Sequence, residues 1–580
     1  MSEQIDPLKE AVAGVEAQLD DYAEQGGYSR EQLHDMGLLD DLRKVWSISD
    51  YVAESCRRYP KLLGDLQESG DLLRAYPSDS YKGRLAVELN PDSSPDLMTV
   101  LRSFRRREMV RIIWRDVTRS ANFETTVLDL SNLADACIEV TLEVLYSESC
   151  QTYGTPFDRS SKQPQQLIVL ALGKLGGMEL NLSSDIDLVF LYGEQGYVKA
   201  TDRSQKDMSN QEFFLRLARK LIHTLSESRH DGFVFRVDMR LRPYGDSGAL
   251  VLARSAMEHY YEKDGRDWER YAFIKARAVA GDLDEARSFL NWLNPFVYRK
   301  YLDYGAIESL RSMKKLINSE SESKALANDI KLGPGGIREI EFIAQSYQLI
   351  WGARDTRLQE QKLLKIMGRL QERGDLDDDV VTGLTSAYLF LRNSEHVIQA
   401  ESDRQTQILP ASAISRSRLA SAMGFQSWPR YLTALDQHRD FVAACFQQVI
   451  QPEADATEDL PESNLLWERL WQDIEDKDVT DFLEQSGFSD GAQVSAQLSN
   501  MKMARNKNLP QALEVERIDR LLPKLLNLVS RERDPDTTLS RVLSIVEAIL
   551  RRSTYLVYLL ENPPSVERMI KLCGKSPWVA

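Results

Sequence analysis

The sequence predicts an α+β protein that is mostly helical, with one small mixed sheet set between helical regions. Residues 1 to about 150 and residues beyond about 284 place apolar side chains at helical spacing. Between them, residues 151–283 alternate short apolar runs, typical of strands, with a helical segment. This change of period predicts a sheet-containing core that follows a helical N-terminal region and precedes helical bundles.

Composition limits the class of protein. The 580 residues suffice for several domains, and 42% hydrophobic with 28% charged residues is ordinary for a globular protein. The net charge of −16 argues against a general nucleic-acid binder. No apolar run has the length needed to span a bilayer, and the first thirty residues are acidic without a signal core. We expect no membrane association and no export.

The cysteines indicate the compartment. Five cysteines are scattered along the chain, and no two of them form a C-x-x-C pair. An odd, dispersed set argues against a disulfide framework and against a structural zinc site. The pattern suits the reducing cytosol, so we expect a cytoplasmic protein.

The N-terminal region contains two well-marked helices. Residues 49–60 open with cap-type residues, and Pro60 ends or kinks that helix. Residues 96–119 form a second helix that also carries six arginines: Arg102, Arg105, Arg106, Arg107, Arg111 and Arg115. These arginines are interpreted either as a basic groove for phosphate or an acidic partner, or as a solvated face paired with local acids. We favour the solvated face.

A glycine-rich turn follows the first predicted strand of the core. Residues 167–172 are an aliphatic run of the length of a buried strand. Gly173, Gly176 and Gly177 then interrupt the pattern. Glycines at such a point permit a tight turn and let the backbone approach a ligand closely.

Two aspartates begin the next predicted strand, residues 185–192. Because residues two apart share a face of a strand, Asp185 and Asp187 point to the same side. Two carboxylates beside a glycine turn make a site for a hard divalent cation, and Mg²⁺ is typically held by one or two carboxylates plus substrate phosphates. The alternative is a polar strand end with two solvated aspartates.

A third carboxylate is predicted on a later strand, residues 233–239. On this strand Val234, Arg236, Asp238 and Arg240 share one face, and Arg242 continues the row up to a proline. Guanidinium groups fit phosphate oxygens in a bidentate manner. The alternative is a ladder of salt bridges across the sheet.

Two later segments carry weaker signals. Residues 265–277 read as a helix with four charged residues among aromatics, interpreted as a second ring of phosphate contacts or as a surface helix. The loop 332–336, Leu-Gly-Pro-Gly-Gly, leads into a helix over 337–343, and its glycines form either an anion-binding nest or only a turn.

Five regions are predicted along the chain. They are a helical N-terminal region (1–150), a catalytic core (151–283), a helical bundle (284–452), an acidic, proline-containing linker (453–463) and a further helical region (464–580). The last region contains an apolar stripe of Leu521, Leu522, Leu525, Leu526 and Val529.

The central motif resembles a known superfamily. Gly173-Lys174 followed, after ten residues, by Asp185-Ile-Asp187 is similar to the pattern of nucleotidyltransferases related to DNA polymerase β, and Asp238 would supply the third carboxylate of that pattern. Lys174 departs from the small residue usual there. With the run Gly-Lys-Leu-Gly-Gly at 173–177, it resembles a narrower family, the glutamine synthetase adenylyltransferase/adenylyl-removing enzymes of bacterial nitrogen control.

The resemblance implies an activity and partners. Family members are bifunctional: an N-terminal half removes AMP from a tyrosine of glutamine synthetase by phosphorolysis, yielding ADP, and a C-terminal half attaches AMP from ATP. The PII signal protein and glutamine set the direction. A helical lead followed by one core resembles the removing half. The alternatives are AMP attachment, a nucleotidyltransferase for another acceptor, or an inactive helical scaffold.

The resemblance also implies roles for individual residues. Asp185, Asp187 and Asp238 are expected to hold Mg²⁺ and to carry catalysis. Nucleotide or phosphate binding is expected of Gly173, Lys174, Ser184, Arg236, Arg240 and Arg242. Two metal ions a few ångströms apart can stabilise both the entering and the leaving oxygen of an in-line displacement.

Overall fold

The computed structural model describes residues 7–89, 96–199, 208–299, 313–314, 317, 326–449, 462–472, 478–508, 512–549 and 553–575. The chain forms two compact units, Met1–Lys300 with Lys314–Val449, and Tyr301–Met313 with Ile450–Ala580. The predicted α+β, mostly helical class is confirmed. The predicted subdivision of residues 1–452 into three regions stays a prediction, and most of the predicted linker, 453–461, lies outside the described residues.

Helices make up the first part of the first unit. They are α1 (Pro7–Glu24), α2 (Arg30–Asp35), α3 (Leu39–Ile48), α4 (Asp50–Arg58), α5 (Lys61–Glu68), α6 (Ser80–Glu88), α7 (Leu97–Val117) and α8 (Phe123–Tyr153). The two predicted helices are confirmed as α4 and α7. Ser49 caps α4 by accepting from the Val52 amide, and Asp96 caps α7 by accepting from the Thr99 amide.

The arginines of α7 do not form a solvated face, so that prediction is wrong. Arg102, Arg105, Arg111 and Arg115 are buried, because neighbouring elements cover α7 on most sides. Their carboxylate partners come from distant parts of the chain as well as from α7 itself. The pairs include Arg102–Asp231, Arg105–Asp403, Arg107–Asp71, Arg111–Glu108 and Arg115–Asp129. Buried charges require such partners, and removing one partner is costly.

Two small sheets follow α8. Their strands are β1 (Thr155–Asp158), β2 (Leu167–Ala171), β3 (Ile186–Tyr192), β4 (Gly196–Lys199), β5 (Met208–Ser209), β6 (Val237–Asp238), β7 (Val251–Ala253) and β8 (Arg277–Ala280). One sheet has the order β1-β4-β5. The other has the order β6-β3-β2-β8, with β7 also paired to β3. In it β2 is antiparallel to β3 and β8, whereas β6 and β7 run parallel to β3.

The second sheet lies within the region 151–283 that the sequence predicted as a core. All five residues of β2 are buried, as the aliphatic run predicted. The predicted strand over 233–239 is mostly wrong, since only Val237 and Asp238 pair with β3. The amides of Val234 and Phe235 both donate to Leu225 O at the end of a helix, which keeps this segment away from β3 until Arg236.

Helices surround this sheet and continue beyond it. They are α9 (Gly173–Gly176), α10 (Asn210–Ser226), α11 (Arg254–Lys263), α12 (Asp267–Phe273), α13 (Leu283–Val297), α14 (Ile337–Trp351), α15 (Leu363–Arg373), α16 (Asp378–Ala400), α17 (Ala413–Ala422) and α18 (Trp428–Gln448). The predicted helix over 265–277 is shorter than expected, because it ends at Phe273 and Arg277 opens β8. The helix predicted over 337–343 is confirmed as the start of α14.

The second unit is helical in its described part. Its helices are α19 (Glu462–Gln472), α20 (Asp478–Gln485), α21 (Gly491–Asn508), α22 (Ala512–Val529), α23 (Pro535–Ile549), α24 (Ser553–Glu561) and α25 (Pro563–Lys575). The predicted apolar stripe lies on α22, and all five of its residues are buried in the core of this unit. The stripe is therefore a packing surface between helices.

Two sequence-based exclusions can be compared with the described residues. All five cysteines are free thiols, and Cys56, Cys137 and Cys573 are buried. No helix in the described ranges combines the length and the apolar character required to cross a bilayer.

Candidate active site

The central sheet brings the three predicted aspartates together. β3 and β6 are parallel neighbours, and their register pairs Asp187 directly with Asp238. Asp185 lies immediately before β3, where the Ile186 amide donates to Arg236 O at 2.9 Å. All three aspartates are partly exposed. Their carboxylates therefore meet at one edge of the sheet, next to solvent.

Gly173 fits against this edge for two separate reasons. Its φ is +55°, a conformation that side chains disfavour. A Cβ at this position would also lie 2.2 Å from Asp187 Oδ2. The Leu172 amide donates to Asp187 O at 2.9 Å, which holds the turn onto β3. Glycine is therefore needed here so that the turn can close over the Asp187 carboxylate.

The environment of Asp187 is unfavourable for an isolated negative charge. Burial, together with the charges of Asp238 and Asp185, raises the pKa of Asp187 to about 6, although Lys331 and Arg240 oppose the shift. Like charges that share a site shift a carboxyl pKa in this direction. A cation bound here would reduce the repulsion between the three carboxylates.

Two arginines supply positive charge to the neighbouring aspartates. Arg236 Nε donates to Asp185 Oδ1 at 3.0 Å, and its Nη2 donates to Ser183 Oγ at 2.8 Å. Arg240 Nε donates to both oxygens of Asp238, at 3.1 and 2.9 Å, and its backbone amide donates at 2.8 Å. Although burial raises the pKa of Asp238, the hydrogen bonds from Arg240 hold it below its ordinary value.

The oxygen donors suit a hard divalent cation, but two of the three carboxylates are engaged by arginine. Over the described ranges, no three His, Cys, Asp or Glu side chains are arranged to coordinate an ion as they stand. In this structure the pairs Arg236–Asp185 and Arg240–Asp238 engage oxygens that a cation would use. Asp187, Asp185 and Asp238 could hold Mg²⁺ once these guanidinium groups turn away.

The other predicted phosphate ligands have different positions. The buried Lys174 ammonium donates to both oxygens of Glu395 on α16, at 2.9 and 3.1 Å. Burial, with the charges of Lys331 and Arg392, lowers the pKa of Lys174 to about 7, although Glu395 opposes the shift. Arg242 donates to three backbone carbonyls, of Met239, Asp246 and Gly248. Ser184 is half-buried in the turn before β3.

Lys174 and Arg242 therefore stabilise the site's framework in this structure. The charged residues of the 265–277 segment do the same. Glu269 accepts from Tyr260, Arg270 donates to Val297 O, and Lys275 pairs with Glu179 and Glu341. Arg277 forms a bidentate pair with Asp135.

The glycine loop 332–336 is bonded to groups of the chain itself, and its Leu332 amide donates to Asp329 Oδ1 at 2.8 Å. Arg439 Nε donates to Pro334 O at 2.8 Å. The amides of Gly333 and Gly336 are already bonded within the loop, to Asp329 O and Gly333 O. The loop is therefore a turn before α14 and not an anion-binding nest.

Two residues at the site were missed by sequence reasoning, and both come from the helical region after the core. Gln405 donates to Asp185 Oδ2 at 2.8 Å. The positive charge of Lys331 lowers the pKa of Asp187 and of Glu395. Lys331 directly precedes the glycine loop that sequence analysis singled out, so that loop was a usable signal. Nothing in the sequence around Gln405 marks it.

An Asp-x-Asp pair, a third aspartate in register and a glycine turn on a mixed sheet together define a nucleotidyltransferase. Comparison with known proteins agrees. Residues 39–292 match the family model of glutamate-ammonia ligase adenylyltransferase, and residues 311–450 match that of GlnD PII-uridylyltransferase.

Curated relatives name the family. Bifunctional glutamine synthetase adenylyltransferase/adenylyl-removing enzymes of Pseudomonas syringae pv. tomato, Nitrosococcus oceani and Hahella chejuensis are 46%, 45% and 42% identical to the chain, over 93%, 92% and 93% of it. These alignments cover 55%, 55% and 56% of the relatives. The chain belongs to this family and spans about half the length of the curated relatives it matches.

Replacing Gly173 by alanine should weaken cation binding by displacing Asp187. We expect Gly173→Ala to lower Mg²⁺ affinity, measured by titration calorimetry, by about tenfold or more, because disturbing the groups that position a metal ligand typically costs about 10–100-fold in affinity. The matched control is Gly374→Ala, since Gly374 has φ +73° but nothing within 4 Å of an added Cβ. Both variants should lose about 1–2 kcal/mol to backbone strain. Equal Mg²⁺ affinity in the two variants would contradict the role of Gly173.

The charge of Asp187 should destabilise the metal-free protein. Its folded-state pKa of about 6 lies above the unfolded value of about 3.9. The folded state therefore binds the proton more tightly, and the contribution of this group to stability falls as pH rises from 4 to 6. We expect metal-free Asp187→Asn to melt higher than wild type at pH 8, by about 2 °C or less for each kcal/mol of stability gained, but not at pH 4.

Calorimetric scans with and without Mg²⁺ check this expectation. At pH 8, Mg²⁺ should raise the Tm of the wild type and leave that of Asp187→Asn nearly unchanged. The exposed residue Asp284, whose side chain is 91% accessible, provides the control Asp284→Asn, which should change neither scan. If metal-free Asp187→Asn melts lower than wild type at pH 8, the charge of Asp187 does not destabilise the metal-free protein.

Proposed function

We propose that the chain removes AMP from the adenylylated tyrosine of glutamine synthetase by Mg²⁺-dependent phosphorolysis, giving ADP, and so regulates nitrogen assimilation in the cytoplasm. The observation that carries the proposal is the register that sets Asp187 beside Asp238, next to Asp185. Nucleotidyltransferases of this family generally use a divalent metal ion. The relatives' names include both adenylyl transfer to and adenylyl removal from glutamine synthetase.

The proposed reaction exchanges two bonds at the α-phosphorus of the AMP group. An oxygen of inorganic phosphate forms a bond to this phosphorus, the bond to the tyrosine oxygen breaks, and the phenolate takes up a proton. Asp185, Asp187 and Asp238 would hold Mg²⁺, which when bound neutralises charge that develops on the transferred phosphoryl group. Phosphate needs no strong general base near neutral pH, so the carboxylates are free to act as ligands.

Arg236 and Arg240 would change partners when the site is filled. Each now neutralises an aspartate that a metal ion would otherwise neutralise. With the ion in place, both guanidinium groups are free to donate to phosphate oxygens, which suit their planar geometry. Arg240 is the better placed of the two, because its side chain is 71% exposed. Gly173 and Ser184 would lie along the nucleotide phosphates on the two sides of the turn.

Lys331 is proposed as a further phosphate contact. Its charge acts on Asp187 from the loop before α14, and its ammonium forms no hydrogen bond or ion pair with another described residue. Lys174, in contrast, is already committed to Glu395. A lysine with an uncommitted ammonium beside carboxylates that bind a cation is suited to hold an incoming anion.

Resemblance favours removal over attachment of AMP. A helical lead, one nucleotidyltransferase core and a helical region are the order of the removing half in the family that the motif resembles. Attachment of AMP from ATP remains the second candidate, because the relatives are named for both activities. The match of residues 311–450 to a family named for PII supports the PII protein as a partner, and glutamine is a proposed effector.

A labelling experiment separates the two reactions. With Mg²⁺ and ³²P-phosphate, the chain should convert AMP-tyrosyl glutamine synthetase to the free form and release ADP labelled at the β position. Omitting phosphate should stop the reaction, and Asp185→Asn or Asp187→Asn should lower the rate by at least about 100-fold. Transfer of label from α-labelled ATP to unmodified glutamine synthetase at a comparable rate would instead establish attachment.

Replacing Lys331 tests its proposed contact. We expect Lys331→Ala to lower kcat/KM for phosphate by about tenfold or more, because a hydrogen bond to a charged group contributes about 1.5–3 kcal/mol. Thermal stability should change little. The matched control is Lys365→Ala, which removes an exposed lysine paired only weakly with Glu360. If both variants keep wild-type kinetics, Lys331 does not contact phosphate.

A further inference from the structure

One cavity in the first unit is lined by more cationic than anionic side chains. The cavity has a volume of about 250 Å³ and lies between α4, α7, the loop after α10 and the residues that follow α16. We call it the arginine pocket, after the five arginines that line it: Arg58, Arg102, Arg105, Arg106 and Arg229. The lining carboxylates are Glu54, Asp231 and Asp403. Cationic side chains thus outnumber anionic ones around one small cavity.

Three of the five arginines pair with carboxylates. Arg229 lies 3.5 Å from Glu227 and 3.9 Å from Asp96. Arg105 forms a bidentate pair with Asp403, at 2.9 and 3.0 Å, and Arg102 Nε lies 2.8 Å from Asp231 Oδ1. Even so, Arg102 is 2% exposed, and its Nη1 atom has no hydrogen-bond partner among the described residues. A buried guanidinium nitrogen without an acceptor is unfavourable, because desolvation of the charge is not compensated.

The other side of the pocket has cations without anionic partners. Within the described ranges, neither Arg58 nor Arg106 forms an ion pair with a carboxylate. Arg106 lies over the Tyr59 ring, 3.7 Å from its centroid, and donates to Asp231 O at 3.2 Å. Arg58 is exposed. These two side chains are held at the cavity with donors available for an anion.

We propose that the arginine pocket binds a small oxyanion, a phosphate or a small dicarboxylate, at a site separate from the catalytic aspartates. Planar guanidinium groups match both kinds of anion in a bidentate manner. The cavity is smaller than the roughly 300–1,000 Å³ of typical sites for drug-sized ligands, so it suits a small anion and not a nucleotide. The proposal does not depend on whether the chain removes or attaches AMP.

The pocket borders the edge of the sheet that carries Asp185, Asp187 and Asp238, which we call the catalytic edge, without sharing these carboxylates. Arg105 lies over the Phe233 ring at 4.7 Å from the centroid, and Arg236 lies over the same ring at 4.9 Å. Arg236 is the residue that donates to Asp185. A phosphate bound in the pocket is therefore distinguishable from a phosphate at the active site by the residues on which its binding depends.

Titration calorimetry tests the proposal on the whole chain without Mg²⁺. One arm uses inorganic phosphate and the other uses glutarate, a five-carbon dicarboxylate. We expect one-to-one binding of at least one anion, weakened by about tenfold or more in the double variant Arg58→Ala/Arg106→Ala. The double variant Arg58→Lys/Arg106→Lys keeps both charges but loses the planar, bidentate guanidinium groups. Its anion affinity should therefore lie between those of the wild type and the double alanine variant. The control Arg287→Ala, an exposed arginine of α13, should bind as the wild type does.

The outcomes separate the pocket from the active site. Binding that survives Lys331→Ala but is lost in the double alanine variant supports the pocket, and the arm that binds identifies phosphate or carboxylate as the ligand class. Binding that is lost in Lys331→Ala and retained in the double alanine variant would place the anion at the catalytic edge and overturn the proposal. So would the absence of binding by both anions at 10 mM, a concentration about tenfold above a Kd of 1 mM.

Discussion

The pairing of β6 with β3 is the constraint on which the rest of the site depends. It sets Asp187 beside Asp238 on adjacent strands, and Asp185 precedes the same strand. Three carboxylates at one edge repel one another, which is why the pKa of Asp187 is raised first by burial and then by its neighbours. Arg236, Arg240 and Lys331 offset this repulsion. The structure is therefore stable with the carboxylates assembled, and a metal ion can replace part of the arginine charge.

The helical region after the core completes this edge. Residues of α16 and its flanking segments contact the core through Lys174–Glu395, through Gln405 with Asp185, and through Arg392, which donates to Glu179 O and Asn181 Oδ1. The buried Lys275 pairs with Glu179 of the core and Glu341 of α14. Separating the core from these helices would leave buried charges without partners, which is costly. The core and these helices therefore depend on each other for stability.

The three candidate carboxylates could be picked out from the sequence because their signal is local. Asp185 and Asp187 follow from the two-residue period of a strand, and Asp238 from its resemblance to the superfamily's third carboxylate. The partners of Lys174 and Arg242 could not be predicted, since Glu395 lies 221 residues away and the acceptors of Arg242 are backbone carbonyls in a turn. The same holds for Arg102 and Arg105 of α7, whose acids Asp231 and Asp403 come from distant segments. The strand predicted over 233–239 is longer than the observed one. Its residues alternate as in a strand, but the amides of Val234 and Phe235 bond to Leu225 O instead of to β3.

The segment after α16 contacts both the arginine pocket and the sheet edge that carries Asp185, Asp187 and Asp238. Asp403 accepts two hydrogen bonds from Arg105 in the pocket, and Gln405, two residues later, donates to Asp185. On the other side, the Phe233 ring is in contact with Arg105 and with Arg236. An anion that drew Arg105 away from Asp403 would change both of these connections to the aspartates. Coupling between two sites requires that a ligand favour one arrangement of the residues between them. Here those residues are Asp403 and Phe233, which contact Arg105.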